Sequence, residues 1–351
     1  MKKLLSTFLL GSMAMVMAAC GGAGDDTGGA TDPVVDEGAP AATTHTIRAG
    51  IGLNNEHPQY KGLLKFKEIV EERTNGEIVV ETYHSSQLGD DRSMMEALQL
   101  GTQEVTVPST APIANFVPEF TVFDFPFLFP SSEVADEVLD GEVGQKLLDM
   151  LDAQNLVGLA YWENGFRNVT NSRRAIETLE DFKGLSLRTM ENELHLDAFR
   201  ALGANPTPMA FGELFTALQQ GTVDGQENPY ATIYLEGLYE VQDHVSNTNH
   251  IYSPFVFLMS KSFFDGLSEE LQAIVQDAAL EAGQYQRELN RVANAEYLES
   301  LQEVGMTYTE ISEEERTKIV ETVQPVLQKY VDRVGEEIVN EVYDAIEAAQ
   351  Q

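Results

Sequence analysis

The chain has 351 residues, 43% of them hydrophobic and 9% aromatic, enough apolar material for two ordinary domains, which excludes a mini-protein or a disordered tail. Against 22 Lys and Arg stand 57 Asp and Glu, and a formal net charge of −35 repels phosphate backbones and anionic headgroups, excluding nucleic acid and bare membrane surfaces as partners. The single cysteine, Cys20, leaves no internal disulfide, Cys-based zinc site or Cys-ligated iron–sulfur cluster to consider.

At the amino terminus Lys2 and Lys3 precede an apolar run from Leu4 to Met17, and Ala18 and Ala19 lead into Cys20, Gly21 and Gly22. This reads as a bacterial lipoprotein signal over residues 1–19, departing from the commonest form in carrying Met17 three residues before the cysteine. The run falls short of the ~20 apolar residues of a spanning helix. The expectation is an extracytoplasmic protein, periplasmic or at the cell surface, anchored to the membrane by a lipid on Cys20. Residues 20–44 carry no apolar periodicity and read as a flexible acidic linker, with a root-mean-square reach of roughly 25 Å.

Strand and helix then alternate. Residues 46–51 read as a strand, and residues 58–73 carry Leu63, Phe66 and Val70 at helical spacing before Asn75 and Gly76 stop the helix. Residues 77–83 are β-rich, a second helix over 90–100 ends at Gly101, and 104–107 is strand-like, completing the βαβαβ pattern of a mostly parallel sheet. The run 123–130, four Phe and two Pro among eight residues, is too apolar for a free loop and is expected to be buried.

Thr178 and Asp181 form a capping-box pattern for a short helix that ends at Gly184, before a strand over 185–189. Asn192 caps a helix carrying Leu194, Ala198 and Leu202, and residues 207–211, 212–220 and 222–226 repeat the strand, helix, strand order. This is a second α/β unit. The last third is helical: residues 268–304 place Leu271, Ile274, Val275, Ala278 and Ala282 at helical spacing, and at 1.5 Å per residue the run reaches about 50 Å, enough to cross two domains. A strand over 306–311 follows, then Ser312 and Glu315 open another capped helix. There is no internal repeat.

No G-x-S-x-G elbow, phosphate-binding P-loop, H-E-x-x-H or C-x-x-C occurs, and no cofactor is implied. The six histidines form no i, i+4 pair and are expected to be packed or surface imidazoles, with His57 the best exception because it follows the first strand. Cations are more informative in so acidic a chain. Arg167 lies in the stretch 162–168, and Arg188 lies near the carboxyl end of the strand over 185–189. Open α/β sheets bind ligands outside the carboxyl ends of their strands, and a guanidinium there grips a carboxylate through two parallel hydrogen bonds. The alternative from the residues alone is a salt bridge between domains.

Taken together and in this order, residues 85–92 (SSQLGDDR), 123–130, 163–168, 184–188, 204–211 (ANPTPMAF) and 223–229 (VDGQENP) resemble the extracytoplasmic solute-binding proteins of TRAP transporters, the DctP type. The resemblance covers essentially all of the chain after the linker. It implies two α/β lobes of the periplasmic-binding-protein kind that close on a ligand, with a long helix spanning both. Lobe I would be 45–164 plus 254–293, and lobe II 165–253 plus 294–351. It also implies Arg188 as the carboxylate-binding arginine, Arg167 as a second pocket arginine, Asn228 as a pocket amide and Phe211 as an aromatic wall. Its sialic-acid-binding branch has an acidic residue where this chain has Ser109 and an Asn where it has Glu191, so these two departures point away from sialic acid. The stretch 188–192 (RTMEN) instead resembles branches that take four-carbon dicarboxylates or hexuronate-type sugar acids, and Glu191 could accept the hydroxyls of a uronate. The implied role is capture of a small organic acid for a TRAP membrane permease driven by an ion gradient, without catalysis. A ligand sensor serving a receptor and a secreted enzyme acting on small acids are the other readings.

Overall fold

Two long antiparallel strands join the halves of the molecule in the computed structural model, which describes residues 44–351. The expected signal, the lipidated Cys20 and all but the last residue of the linker lie outside the described residues. Nine strands form one sheet among the described residues. They are β1 (His45–Gly50), β2 (Ile78–Tyr83), β3 (Val105–Thr106), β4 (Leu156–Asn171), β5 (Ser186–Thr189), β6 (Asn205–Pro208), β7 (Gly225–Asn228), β8 (His244–Ser260) and β9 (Thr307–Glu310). Their order is β2-β1-β3-β8-β4-β7-β5-β6, with β9 paired to β8.

The first half is the expected parallel unit. The helix Pro58–Arg73 buries Leu63, Phe66 and Val70 and leaves through Asn75 and Gly76, both at positive φ. It returns the chain to β2, which pairs in parallel with β1 as β3 does on the other side. In the second half β5 pairs in parallel with β6 and β7. The chain begins β6 earlier than expected and starts the next helix, Phe211–Gln219, at Phe211 itself.

β4 and β8, of 16 and 17 residues, were not expected as strands. Their ladder runs from Leu156 opposite Ser260 to Asn171 opposite His244, with register shifts at Gly158/Ala160, Glu163/Gly165 and Arg167/Val169. Both faces are covered for most of their length, so neither strand shows the alternation that marks a half-exposed strand. The result is the expected mixed α/β architecture with two lobes joined by β4 and β8.

The helix Glu269–Glu303 crosses both lobes as its length predicted. Near its start Leu271, Val275 and Ala279 pack with Phe66, Trp162 and Phe257, and near its end Leu301 packs with Leu214 and Val245. Midway, Arg287 holds Asp140 at 2.6 Å and Arg291 holds Asp136 at 2.7 Å. The helix Glu313–Val334 also spans two cores, with Ile319 and Val323 on Leu187 and Phe199, and Tyr330 and Val334 on the Phe120 and Phe123 cluster. The last helix, Glu336–Ala349, packs Val342 and Ile346 into that same cluster beside Val138 and Leu147. The apolar stripe of this carboxyl-terminal helix thus finds its partner on residues 132–150, while Leu301, Ile319 and Val323, earlier in the stretch 294–351, pack with the second half. The run 123–130 is buried as expected, Phe123 and Phe125 lying at the centre of the cluster. No helix among the described residues is long and apolar enough to cross a membrane.

Candidate functional site

Between the first and second halves of the sheet lies a cavity with about 680 Å3 of atom-free space, its open mouth included. Arg167, Arg188, Asn228, Phe211, Glu191 and Ser109 all line it. The fold therefore brings together six of the seven expected ligand-binding residues, from positions 109 to 228.

β4 supplies Arg167, which is fully buried. Its Nε and Nη2 donate to the carboxylate of Glu227 on the neighbouring β7, Nη2 at 2.9 Å from Oε1, and Nη2 also donates to the Glu227 carbonyl at 2.6 Å. Burial works against an ionised Glu227, yet Arg167 and His250 hold its carboxyl well below the usual range. Arg167 is thus in a salt bridge, formed within one half and not between domains as the alternative reading had it, and its Nη1 has no partner among the described residues.

β5 supplies Arg188, 3% exposed, whose Nε donates to the Met209 carbonyl at 2.9 Å. Its guanidinium carbon lies 5.8 Å from the centre of the Phe211 ring, within cation–π range. Its Nη1 is also buried and has no partner among the described residues. Burial lowers the Arg188 pKa to about 10, with Glu227, Asp91 and Glu191 opposing, so the guanidinium stays charged at neutral pH. Two arginines that line one cavity thus each keep a buried, charged donor unspent, and a carboxylate can satisfy both.

The rest of the wall mixes apolar residues such as Leu53, Met190 and Phe255 with polar and acidic ones. Asn228 is held by Gln226 Oε1 at 2.6 Å. Ser109 begins the short helix Thr110–Ile113, and its Oγ lies 3.4 Å from Asn164 Nδ2. Asp91 is half-buried, and desolvation pushes its carboxyl up to about 6 although a backbone hydrogen bond from Ser109 works the other way. Glu191 accepts at its carbonyl from Asn115 Nδ2 at 2.7 Å, and Asn192 Nδ2 donates to the Ala111 carbonyl at 3.2 Å. These bonds tie the two halves together at one rim. At the other, Asn54 Nδ2 donates to the Leu235 carbonyl at 2.7 Å.

His57 is the exception and is corrected here: it does not line the cavity. It caps the helix Pro58–Arg73, its Nδ1 accepting from the Gln59 N–H at 3.1 Å while Nε2 sits 3.2 Å from Thr232 Oγ1. Burial drives its pKa down to about 3, so it is a neutral structural imidazole. Six polar wall residues were not picked out from the sequence: Gln59, Ser86, Asp90, Asp91, Arg92 and Asn164. Five of these stand inside the motifs at 85–92 and 163–168, which held the signal; Gln59 stands in none.

The model of the family described as bacterial extracellular solute-binding protein, family 7 (DctP) matches residues 49–333. A solute-binding protein of Verminephrobacter eiseniae is 41% identical over 311 residues, 88% of this chain and 91% of that one. The crystal structure of the sugar acid binding protein DctPAm from Advenella mimigardefordensis, in complex with galactonate, superposes with a TM-score of 0.86 at 46% identity, covering 88% of this chain and 100% of that one. A TRAP periplasmic solute-binding protein of Polaromonas sp. JS666 bound to D-erythronate gives 0.82 at 40% identity, covering 85% and 98%.

Proposed function

The chain belongs to family 7 of the bacterial extracellular solute-binding proteins, the DctP type of TRAP transporters, and on that premise we propose that it captures a sugar-acid anion and delivers it to TRAP permease subunits. The observation that carries this reading is the pair of buried, unpartnered Nη1 atoms of Arg167 and Arg188 on one cavity. They take the carboxylate. Asn228 supplies an amide contact and Phe211 an apolar wall.

The choice of a sugar acid over a four-carbon dicarboxylate rests on the other charges. Asp90, Asp91 and Glu191 line the same cavity, and the further cation there, Arg92, is engaged by Glu96 at 3.1 Å. A second carboxylate placed among three acids meets repulsion, whereas hydroxyls donate to them. Galactonate and D-erythronate, held by the two similar structures, are polyhydroxylated monocarboxylates of this kind. Closure belongs to the same reading, and the register shift at Glu163/Gly165 on β4, opposite Pro254 and Ser253 on β8, supports a hinge at this place. The lipid anchor on Cys20 belongs to it too, supported by the sequence of residues 1–22. The family consists of the substrate-binding proteins of transporters, and the site here binds its acid without turning it over.

The test is a thermal-shift and calorimetric screen of the purified protein against galactonate, D-erythronate, galacturonate, succinate and neutral galactose. A ligand at 100 times its Kd adds about 2.7 kcal/mol of stability. Stabilisation by sugar acids, and neither by succinate nor by galactose, is the expected result. Stabilisation by the neutral sugar alone, or by no acid, contradicts the assignment.

A further inference from the structure

Besides the two arginines, two residues that line the cavity carry a buried side-chain acceptor with no partner among the described residues: Gln59 at Oε1 and Asn164 at Oδ1. Each amide is fixed by other bonds. Gln59, 2% exposed, sits in the first turn of the helix Pro58–Arg73, where His57 Nδ1 holds its backbone N–H, and its Nε2 donates to the Val107 carbonyl at 2.7 Å. That donation decides which end of the amide is left over, and it is the oxygen. Asn164, 4% exposed, stands within the register shift of β4, its carbonyl accepting from Asn290 Nδ2 at 2.9 Å and its own Nδ2 turned to Ser109 Oγ.

Buried acceptors without donors are uncommon and costly. An ionised carboxylate cannot relieve them, because it carries no proton to give. A hydroxyl can. We propose that Gln59 and Asn164 are specificity-determining residues whose side-chain oxygens accept hydrogen bonds from hydroxyls of the bound acid, so that the site selects hydroxylated acids over unsubstituted ones. This deepens the sugar-acid reading above and rests on it. The arginine pair provides affinity for any carboxylate, and the amide pair sets which carboxylates are held well. A site built to hydrogen-bond a hydroxyl discriminates strongly against an analogue lacking it, because its own polar atoms are then left unpaired.

The experiment measures Kd by calorimetry for galactonate and its monodeoxy analogues, using the unaltered protein, Gln59→Met and Asn164→Ala. In the unaltered protein at least one deoxy analogue binds about 10- to 100-fold more weakly than galactonate. Gln59→Met weakens galactonate by a similar factor and leaves unchanged the affinity for the analogue that lacks the hydroxyl Gln59 reads; Asn164→Ala does the same for a different analogue. Circular dichroism of the unliganded variants establishes that each is folded. Should a variant not fold, the unaltered protein still decides, since equal affinity for galactonate and every deoxy analogue overturns the proposal. So does a variant that weakens all analogues by one common factor. Failure of the unaltered protein to bind any sugar acid is a different outcome and overturns the proposed function together with this inference.

Discussion

Arg167 on β4 and Glu227 on β7 form a fully buried ion pair in which two guanidinium nitrogens meet one carboxylate. The pair turns what would be an isolated charge into a positioned donor. With Nε and Nη2 spent on Glu227, the plane of the guanidinium is fixed and Nη1 is what remains for a ligand. Glu227→Gln leaves Arg167 buried with its charge uncompensated, at a cost of about 3–5 kcal/mol in unfolding free energy. The pH dependence has a definite sign. A carboxyl held below its usual range contributes stability above the unfolded pKa and loses it as pH falls, so the gap between variant and parent should be widest at neutral pH and shrink in acid. Denaturant titrations at the two pH values measure both. A loss under about 1 kcal/mol at neutral pH contradicts the buried-pair account.

Among the described residues the Arg188 side chain makes one hydrogen bond, from Nε to the Met209 carbonyl, and its guanidinium lies over the Phe211 ring. Arg188→Ala should raise the Kd for a sugar acid by about 100- to 1,000-fold, the consequence of burying a carboxylate with one of its two cations gone. Arg188→Lys should recover little of this, since an ammonium matches neither the bidentate geometry nor the stacking on Phe211. Affinity should also fall as pH rises toward the Arg188 pKa of about 10, because only the charged form holds the anion. Calorimetry on both variants and a pH series on the parent measure these effects. Micromolar binding retained in Arg188→Ala would remove the clamp from the site.

How much of this was legible in the sequence follows from what each element shows to water. Leu63, Phe66 and Val70 face a core while the other side of their helix faces solvent, so periodicity revealed the helix and the strands beside it. β4 and β8 are covered on both faces, and Gly158, Asn164 and Gly165 interrupt the pattern, so nothing periodic marked the strands that join the two halves. Arg167 and Arg188 stood out because cations are scarce among 57 acids, but the partner of Arg167 was not legible, since pairing β4 with β7 needs the fold. His57 misled for a physical reason. The residue between a strand end and a helix start is where ligands bind and also where a helix needs a side-chain acceptor, and here the second need took it. Gln59 gave no signal because its role depends on which end of its amide the Val107 carbonyl consumes.

The crossing of the two helices over Trp162 gives a steric prediction. The indole lies between the helix Pro58–Arg73 and the helix Glu269–Glu303, its Nε1 donating to the Ala279 carbonyl at 3.0 Å. A Cβ on Gly283 would meet Trp162 Cδ1 at 2.6 Å, and one on Gly62 would meet Cζ3 at 2.7 Å. Alanine is the better helix former by about 1 kcal/mol, so two effects compete. Both glycines face a core ring with no room to move, and overpacking of this kind costs about 1–3 kcal/mol. Gly283→Ala and Gly62→Ala should therefore each lower the melting temperature by a few degrees. A rise in either would show that the indole has space the packing does not suggest.

A bond between the halves makes the last prediction one about pH. Asn54, just beyond β1, donates its backbone N–H to Glu236 Oε1 at 2.7 Å, and Glu236 follows the helix Tyr230–Leu235 of the other half. Burial raises the Glu236 carboxyl from 4.5 to about 7, against the pull of the Asn54 hydrogen bond. Between those values the folded chain keeps a proton that the unfolded chain has released, so this group's contribution to stability declines as pH rises through the window. Glu236→Gln preserves an acceptor for the Asn54 N–H and removes the ionisation. The variant should match the parent near pH 4, where both chains carry a neutral side chain, and exceed it near pH 8 by roughly 1–3 kcal/mol. Denaturant unfolding at the two pH values separates this from a packing effect, which would shift stability equally at both. Equal stabilities at pH 8 would mean that the carboxylate ionises there without cost and that the Asn54 bond suffices to hold it.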